Sequence, residues 1–203
     1  MARKIPIVPT LLVLAAVTVM LRLGFWQLDR MHQKEAMIAR FDEVRSLPEA
    51  DKGPSRPGPD SAYRRIRFRC VQIVSASVIA GRNARGETGW AHVVRCLARG
   101  SSPLPKGLDD LPKAIDWDVV IGWSRSPVSP VWEGGEVRGT IAPGGSLGVK
   151  LVADPPLAGL EANARPDPHD IPNNHLSYAV QWFLFALTAL VIYGLALRKR
   201  LKG

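Results

Sequence analysis

The chain reads as two long apolar runs enclosing a stretch of short alternating segments. The later run extends from Leu176 to Leu197, 22 residues without a formal charge, and is stopped by Arg198-Lys-Arg. At about 1.5 Å rise per residue, that length spans a hydrocarbon core about 30 Å thick. The earlier run begins at Ile7, is apolar to Leu21, and continues through Arg22 into Leu23-Gly-Phe-Trp-Gln-Leu. A cleaved signal peptide is one reading of it. No small-x-small cleavage site follows, however, so an uncleaved span from Ile7 to Trp26 fits better. Arg22 can then snorkel to the headgroups, and Trp26 sits in the outer aromatic belt.

Between the runs the period changes. Asp29 to Arg45 has no Gly or Pro and places Met31, Ile38 and Phe41 on one side of a continuing helix. Ser46 to Ala62 ends it, with turn-forming Gly-Pro-Ser-Arg-Pro-Gly-Pro-Asp. Alternation then predicts strands at Tyr63–Ile73, Ser75–Ala80, Trp90–Leu97, Trp117–Trp123, Glu136–Ala142 and Leu147–Ala153. Gly81 to Gly89 is a hairpin loop, Arg99 to Asp116 a long loop, and Pro143-Gly-Gly-Ser a turn. Asp154 to Asn174 is again Pro- and Asn-rich.

The expected fold is an α+β membrane protein. Two antiparallel transmembrane helices, residues 7–28 and 175–197, flank a small antiparallel β-barrel or sandwich at 46–174. A juxtamembrane helix covers 29–45, and tails of six residues (1–6 and 198–203) lie outside the spans.

Charge supports this layout. The net charge is +9, a value compatible with nucleic-acid binding. From Asp29 to Asn174, however, 20 Lys and Arg face all 18 acidic residues, leaving only +2. The other +7 comes from Arg3, Lys4 and Arg22, with Arg198, Lys199, Arg200 and Lys202. The basicity therefore flanks the spans and argues for a lipid bilayer, not nucleic acid. It puts both termini in the cytoplasm and the central domain across the membrane. The two cysteines, Cys70 and Cys96, both fall in that exported segment. A disulfide is permitted there; two buried free thiols are the plainer expectation.

The chemistry concentrates at the entrance of the second span. An ionisable residue there is a site candidate by default, although a capping or interfacial histidine is the bland alternative. At about 100° per residue, His175, Tyr178, Ala179, Trp182, Ala186, Ala189 and Tyr193 share one stripe. Leu184, Leu187, Val191, Ile192 and Leu195 lie on the other side. Antiparallel pairing brings the outer ends of the spans together, so Trp26, Gln27 and His175 lie at similar depth. Gly24 permits close helix contact, and Arg30 lies one turn beyond Trp26. Such a crevice suits a flat amphipathic ligand with an acidic edge. Imidazole can ligate haem iron, rings pack against a porphyrin, and an arginine pairs with a propionate. His32, His92 and His169 read as solvated or structural. Asp109-Asp110 and Asp167/Asp170 read as surface acids. No Ser-His-Asp spacing, P-loop or dinucleotide fingerprint occurs.

Several of these residues also carry a resemblance. Leu23-Gly-Phe-Trp-Gln-Leu-Asp-Arg30 resembles the motif closing the first span of the Surfeit-locus-protein-one (Surf-one) family. Asn173-Asn-His-Leu-Ser-Tyr-Ala-Val-Gln-Trp-Phe183 resembles its second-span motif. Gly81 to Trp90 is similar to its glycine-marked hairpin. Ile121-Gly-Trp123 stands where the family usually has Arg-Gly-Trp-Val-Pro, without that arginine and with Ser124-Arg125 in place of Val-Pro. The resemblance implies a non-enzymatic assembly factor for haem–copper cytochrome c oxidase in a bacterial inner membrane. It implies transient binding of haem a, with His175 as the iron ligand and Gly24 and Trp26 matching the first-span Gly-Trp. Implied partners are the haem-bearing oxidase subunit and the machinery that makes haem a. Three rivals remain: a haem-independent scaffold for oxidase subunits, an enzyme acting on haem, and a sensor with an exported domain.

Overall fold

The computed structural model describes residues 6–51, 53–54, 57–98 and 115–202. It divides into two compact units, Met1–Ala39 with His169–Gly203, and Arg40–Pro168. Arg3, Lys4, the Asp109-Asp110 pair and most of the expected 99–116 loop lie outside the described residues.

The first unit is built on two helices, α1 (Ile7–Ser46), as far as Ala39, and α2 (His175–Lys202), both long and apolar enough to cross a membrane. The span and the juxtamembrane helix expected from the sequence form one unbroken α1. Its less exposed positions, Thr10, Val13, Val17, Met20, Gly24, Gln27 and Met31, recur every three or four residues. That is the spacing of a helix seam. The seam of α2 runs through His175, Ala179, Trp182, Ala186, Ala189 and Tyr193, with Ala179 and Ala186 buried. Leu184, Leu187, Val191, Ile192 and Leu195 are exposed, as the stripe reading requires.

Contacts fix the pair as antiparallel. Thr10 hydrogen-bonds Tyr193 through their hydroxyls near one end, and Gln27 meets His175 near the other. These two polar clasps stand 17 positions apart on α1, or about 26 Å along a helix. They therefore bracket a length close to that of a bilayer's hydrocarbon core.

The second unit is a five-stranded mixed sheet: β1 (Arg65–Arg82), β2 (Thr88–Ala98), β3 (Ile115–Ser124), β4 (Gly135–Pro143) and β5 (Val149–Ala153). Pairing runs β1-β2-β3-β5-β4 and returns to β1, so the sheet closes on itself. The expectation of a wholly antiparallel sheet is corrected here. β3 and β5 run parallel, through Val119↔Leu151 and Val120↔Val152. The reason is geometric: strand directions cannot alternate strictly around a ring of five.

The two segments expected at Tyr63–Ile73 and Ser75–Ala80 are a single strand, β1, with irregularities at Cys70/Gln72 and Ile73/Ser75. Up to Cys70, β1 pairs with β4 and alternates cleanly. Ile66, Phe68 and Cys70 are buried, while Arg65 and Arg69 are exposed. Beyond Cys70 it pairs with β2 alone, and Val71 and Val74 are exposed.

The core holds Ile66, Phe68, Trp117, Val119, Ile121, Val137, Ile141, Val149 and Leu151, with Phe68 stacked on Trp117 at 5.8 Å between ring centroids. Cys70 and Cys96 also lie in it, and they are joined in a disulfide, which corrects the expectation of two free thiols. The β1–β2 register brings their Cα atoms to 5.7 Å, well within bridging range. Gly145 (φ +83°) turns β4 into β5 at a point where a Cβ would lie 2.7 Å from the Val149 carbonyl.

Candidate functional site

His175 opens α2 and is half-buried. Its Nδ1 lies 2.7 Å from Gln27 Oε1 on α1. An amide oxygen only accepts, so the imidazole donates through Nδ1–H. In the neutral form of the ring, that arrangement leaves the lone pair on Nε2. Two residues earlier, Asn173 Oδ1 is buried without a hydrogen-bond partner among the described residues. Leaving such an acceptor unpaired costs about 1–3 kcal/mol.

One turn below Gln27, Gly24 is buried against the ring of Phe183. A Cβ at Gly24 would lie 2.5 Å from Phe183 Cε1, so only glycine admits the ring in this position. Phe25 meets the same ring edge-on, with centroids 5.4 Å apart. Trp182 is half-buried beside Phe185, in an edge-on contact at 6.1 Å.

The structure therefore brings together Gly24, Gln27 and His175, with Trp182 on the same side of α2 as His175. Trp26 and Tyr178 are placed differently, at 51% and 50% exposure, on the outer sides of their helices. Helical geometry explains both. Trp26 is rotated about 100° from Gln27, and the seam of α2 passes through Ala179, on the other side of His175 from Tyr178. Arg30 donates to Gln33 along its own helix at 2.8 Å and is exposed. Phe183 was not among the residues singled out from sequence. Its signal was the glycine: Gly24 implies a bulky partner from α2, and the antiparallel register points to the turns after Ala179.

In the sheet unit, the buried polar side chains His92, Asp118 and Asn83 have structural partners, whereas Asn163 Nδ2 is buried without one among the described residues. His92 is fully buried between Ser129 and Ser124, each 2.9 Å from a ring nitrogen. Ser124 Oγ donates to the Ser126 carbonyl, so it accepts from Nε2–H, and Nδ1 accepts from Ser129. Burial holds the His92 pKa below its ordinary value, against the Ser126 contribution. Asp118 is pushed up by burial. Hydrogen bonds from Ser146 and Arg95 outweigh this and hold its carboxyl below the usual range. Asn83 organises the β1–β2 turn, accepting from the Arg85 and Glu87 amides and donating to the Glu87 carboxylate. Trp123, fully buried, donates its indole N–H to the Gly81 carbonyl. The Ile121-Gly122-Trp123 segment thus fastens the hairpin. Asp167 pairs with Arg45 at 3.3 Å. Among the described residues, no group of three or more His, Cys, Asp or Glu side chains is placed to hold a metal.

No curated protein matches the chain. The SURF1 family matches residues 14–187, a stretch that takes in most of α1, the whole sheet and the start of α2 through Leu187. On that match the chain belongs to the SURF1 family.

Proposed function

We propose that this protein is a membrane-bound assembly factor for haem–copper cytochrome c oxidase, and that it takes haem a as transient cargo at His175. SURF1 family membership and two helices of membrane-spanning length support the assembly role. The observation that carries the cargo reading is the Gln27–His175 hydrogen bond. It turns the imidazole into the tautomer whose Nε2 can bind iron.

The rest of the local chemistry fits a flat, mostly apolar ligand. Trp182 offers an aromatic surface on the His175 side of α2. Asn173 offers an unpaired buried acceptor for a donor on the ligand's polar edge. Bound at this position, haem a would supply an iron centre for axial ligation. The chain contributes one imidazole, held by a neutral amide rather than a carboxylate. Release is as necessary as capture for a carrier, and a single neutral ligand suits both. In this reading both termini are cytoplasmic, the sheet unit lies on the opposite side of the inner membrane, and the receiver is the haem-bearing oxidase subunit. The apparatus that makes haem a is the donor.

A second reading has its own support. Gly24, Ala179 and Ala186 are packed out, and Phe183 fills the place beside Gly24. Such a seam is what a haem-independent scaffold needs to present a rigid pair of helices to oxidase subunits. The two readings separate in cells. If His175 receives haem a, His175→Ala should lower the haem a content of the assembled oxidase while the variant protein accumulates normally. Normal oxidase haem content in that strain would favour the scaffold.

A further inference from the structure

We infer that Gln27 is the positioning residue that sets the tautomer of His175, an inference that rests on the cargo reading above. The argument starts from the two sides of the hydrogen bond. Gln27 lies on the α1 seam, three residues beyond Gly24, and its position is fixed by the close approach at Gly24 and Phe183. His175 is the first residue of α2, so few side-chain contacts from its own helix orient the ring. The 2.7 Å contact from Nδ1 to Oε1 supplies that orientation.

An unconstrained neutral histidine can carry its proton on either nitrogen. With the proton on Nε2, that atom cannot ligate iron. With Nδ1–H held by an amide oxygen, Nε2 keeps its lone pair, and no other hydrogen bond to His175 is made among the described residues. Gln27 therefore acts through His175 and need not touch the cargo. The acceptor is also neutral. A carboxylate there would draw the proton further and make the imidazole a stronger ligand, which favours retention over handover. Glutamine gives the orientation without the added charge.

The test has one readout without haem and one with it. The cargo-free protein, labelled with 15N-histidine and held in detergent micelles at alkaline pH, is examined by NMR, with His175 assigned from the His175→Ala spectrum. The wild type is expected to show a protonated Nδ1 and an unprotonated Nε2. Gln27→Glu, which can only accept, should keep that pattern. Gln27→Met, similar in shape but unable to accept, should lose it. In haem a titrations, Gln27→Met should weaken binding by about 10–100-fold, and Gln27→Glu should bind at least as tightly as the wild type. A wild-type ring protonated on Nε2, or an unchanged tautomer in Gln27→Met, would overturn the inference. So would wild-type haem affinity in Gln27→Met when His175→Ala has lost it. If His175→Ala itself keeps full haem affinity, the cargo reading fails, and the NMR result still decides whether Gln27 sets the tautomer.

Discussion

The helix pair and the sheet unit hold themselves together in opposite ways. The sheet closes on itself, buries a core around Trp117 and Phe68, and adds a disulfide across its first two strands. Of its buried polar side chains among the described residues, His92, Asp118 and Asn83 are each hydrogen-bonded more than once, and Asn163 Nδ2 is the exception. The helix pair instead relies on few specific contacts: a hydroxyl clasp, a glycine filled by a ring, and a glutamine–histidine bond. Between lipid-facing helices there is little hydrophobic gain from association, so close packing and a few polar bonds decide the register. The lesson is that redundancy marks the structural unit. The unit without redundancy is the one where a single contact can carry chemistry.

That contrast is broken most forcefully in the sheet. Trp117→Ala truncates the largest side chain of the core, so a loss of about 3–5 kcal/mol is expected. Reducing the Cys70–Cys96 bond in the wild type should cost about 3 kcal/mol for a loop of this order. Both are read as a fall in the denaturation midpoint of the β signal, with helical content kept. Concerted loss of helix and sheet signals would erase the distinction between the units.

A smaller effect is expected in the helix pair. Gly24→Ala forces the Phe183 ring to shift and should weaken pairing by about 1–3 kcal/mol. Fluorescence transfer between labels at the two helix ends would read this as a change in spacing. Phe183→Ala in the same chain should restore it in part, because the ring no longer meets the new methyl group.

The smallest effect is the pH dependence of the sheet. His92 has a depressed pKa in the folded state, so the unfolded chain binds a proton more readily. The stability tied to the neutral ring is complete above about pH 6.5, the ordinary histidine value, and is lost as the pH falls below it. His92→Gln should flatten that part of the stability profile. An equally steep profile in the variant would assign the loss to other groups, Asp118 first, whose depressed pKa withdraws stability only at lower pH.

How much of this was legible in the sequence depended on which interactions are local. The two helices announced themselves as long charge-free runs, and the α2 seam followed from 100° steps. Tyr178 was drawn into that stripe because periodicity alone does not say on which side of His175 the seam passes. Trp26 was drawn in by depth, which a helical position does fix, while facing is a separate matter. In the middle of the chain, alternation located the strands but not their order. The parallel β3–β5 pair follows only once the ring is known to close with an odd number of strands. The disulfide was hidden for the same reason, since the pairing of Cys70 with Cys96 depends on a register shifted at Cys70/Gln72. Gln27, Gly24 and His175 were legible together because antiparallel spans bring those ends to one depth.

The central claim is that His175 receives haem a, and the most direct test is the absorption spectrum of the purified protein from cells that make haem a. The wild type is predicted to carry the haem a bands and His175→Ala to lose them, with both proteins showing the same far-ultraviolet circular dichroism. Equal haem a bands in the two proteins would contradict the account.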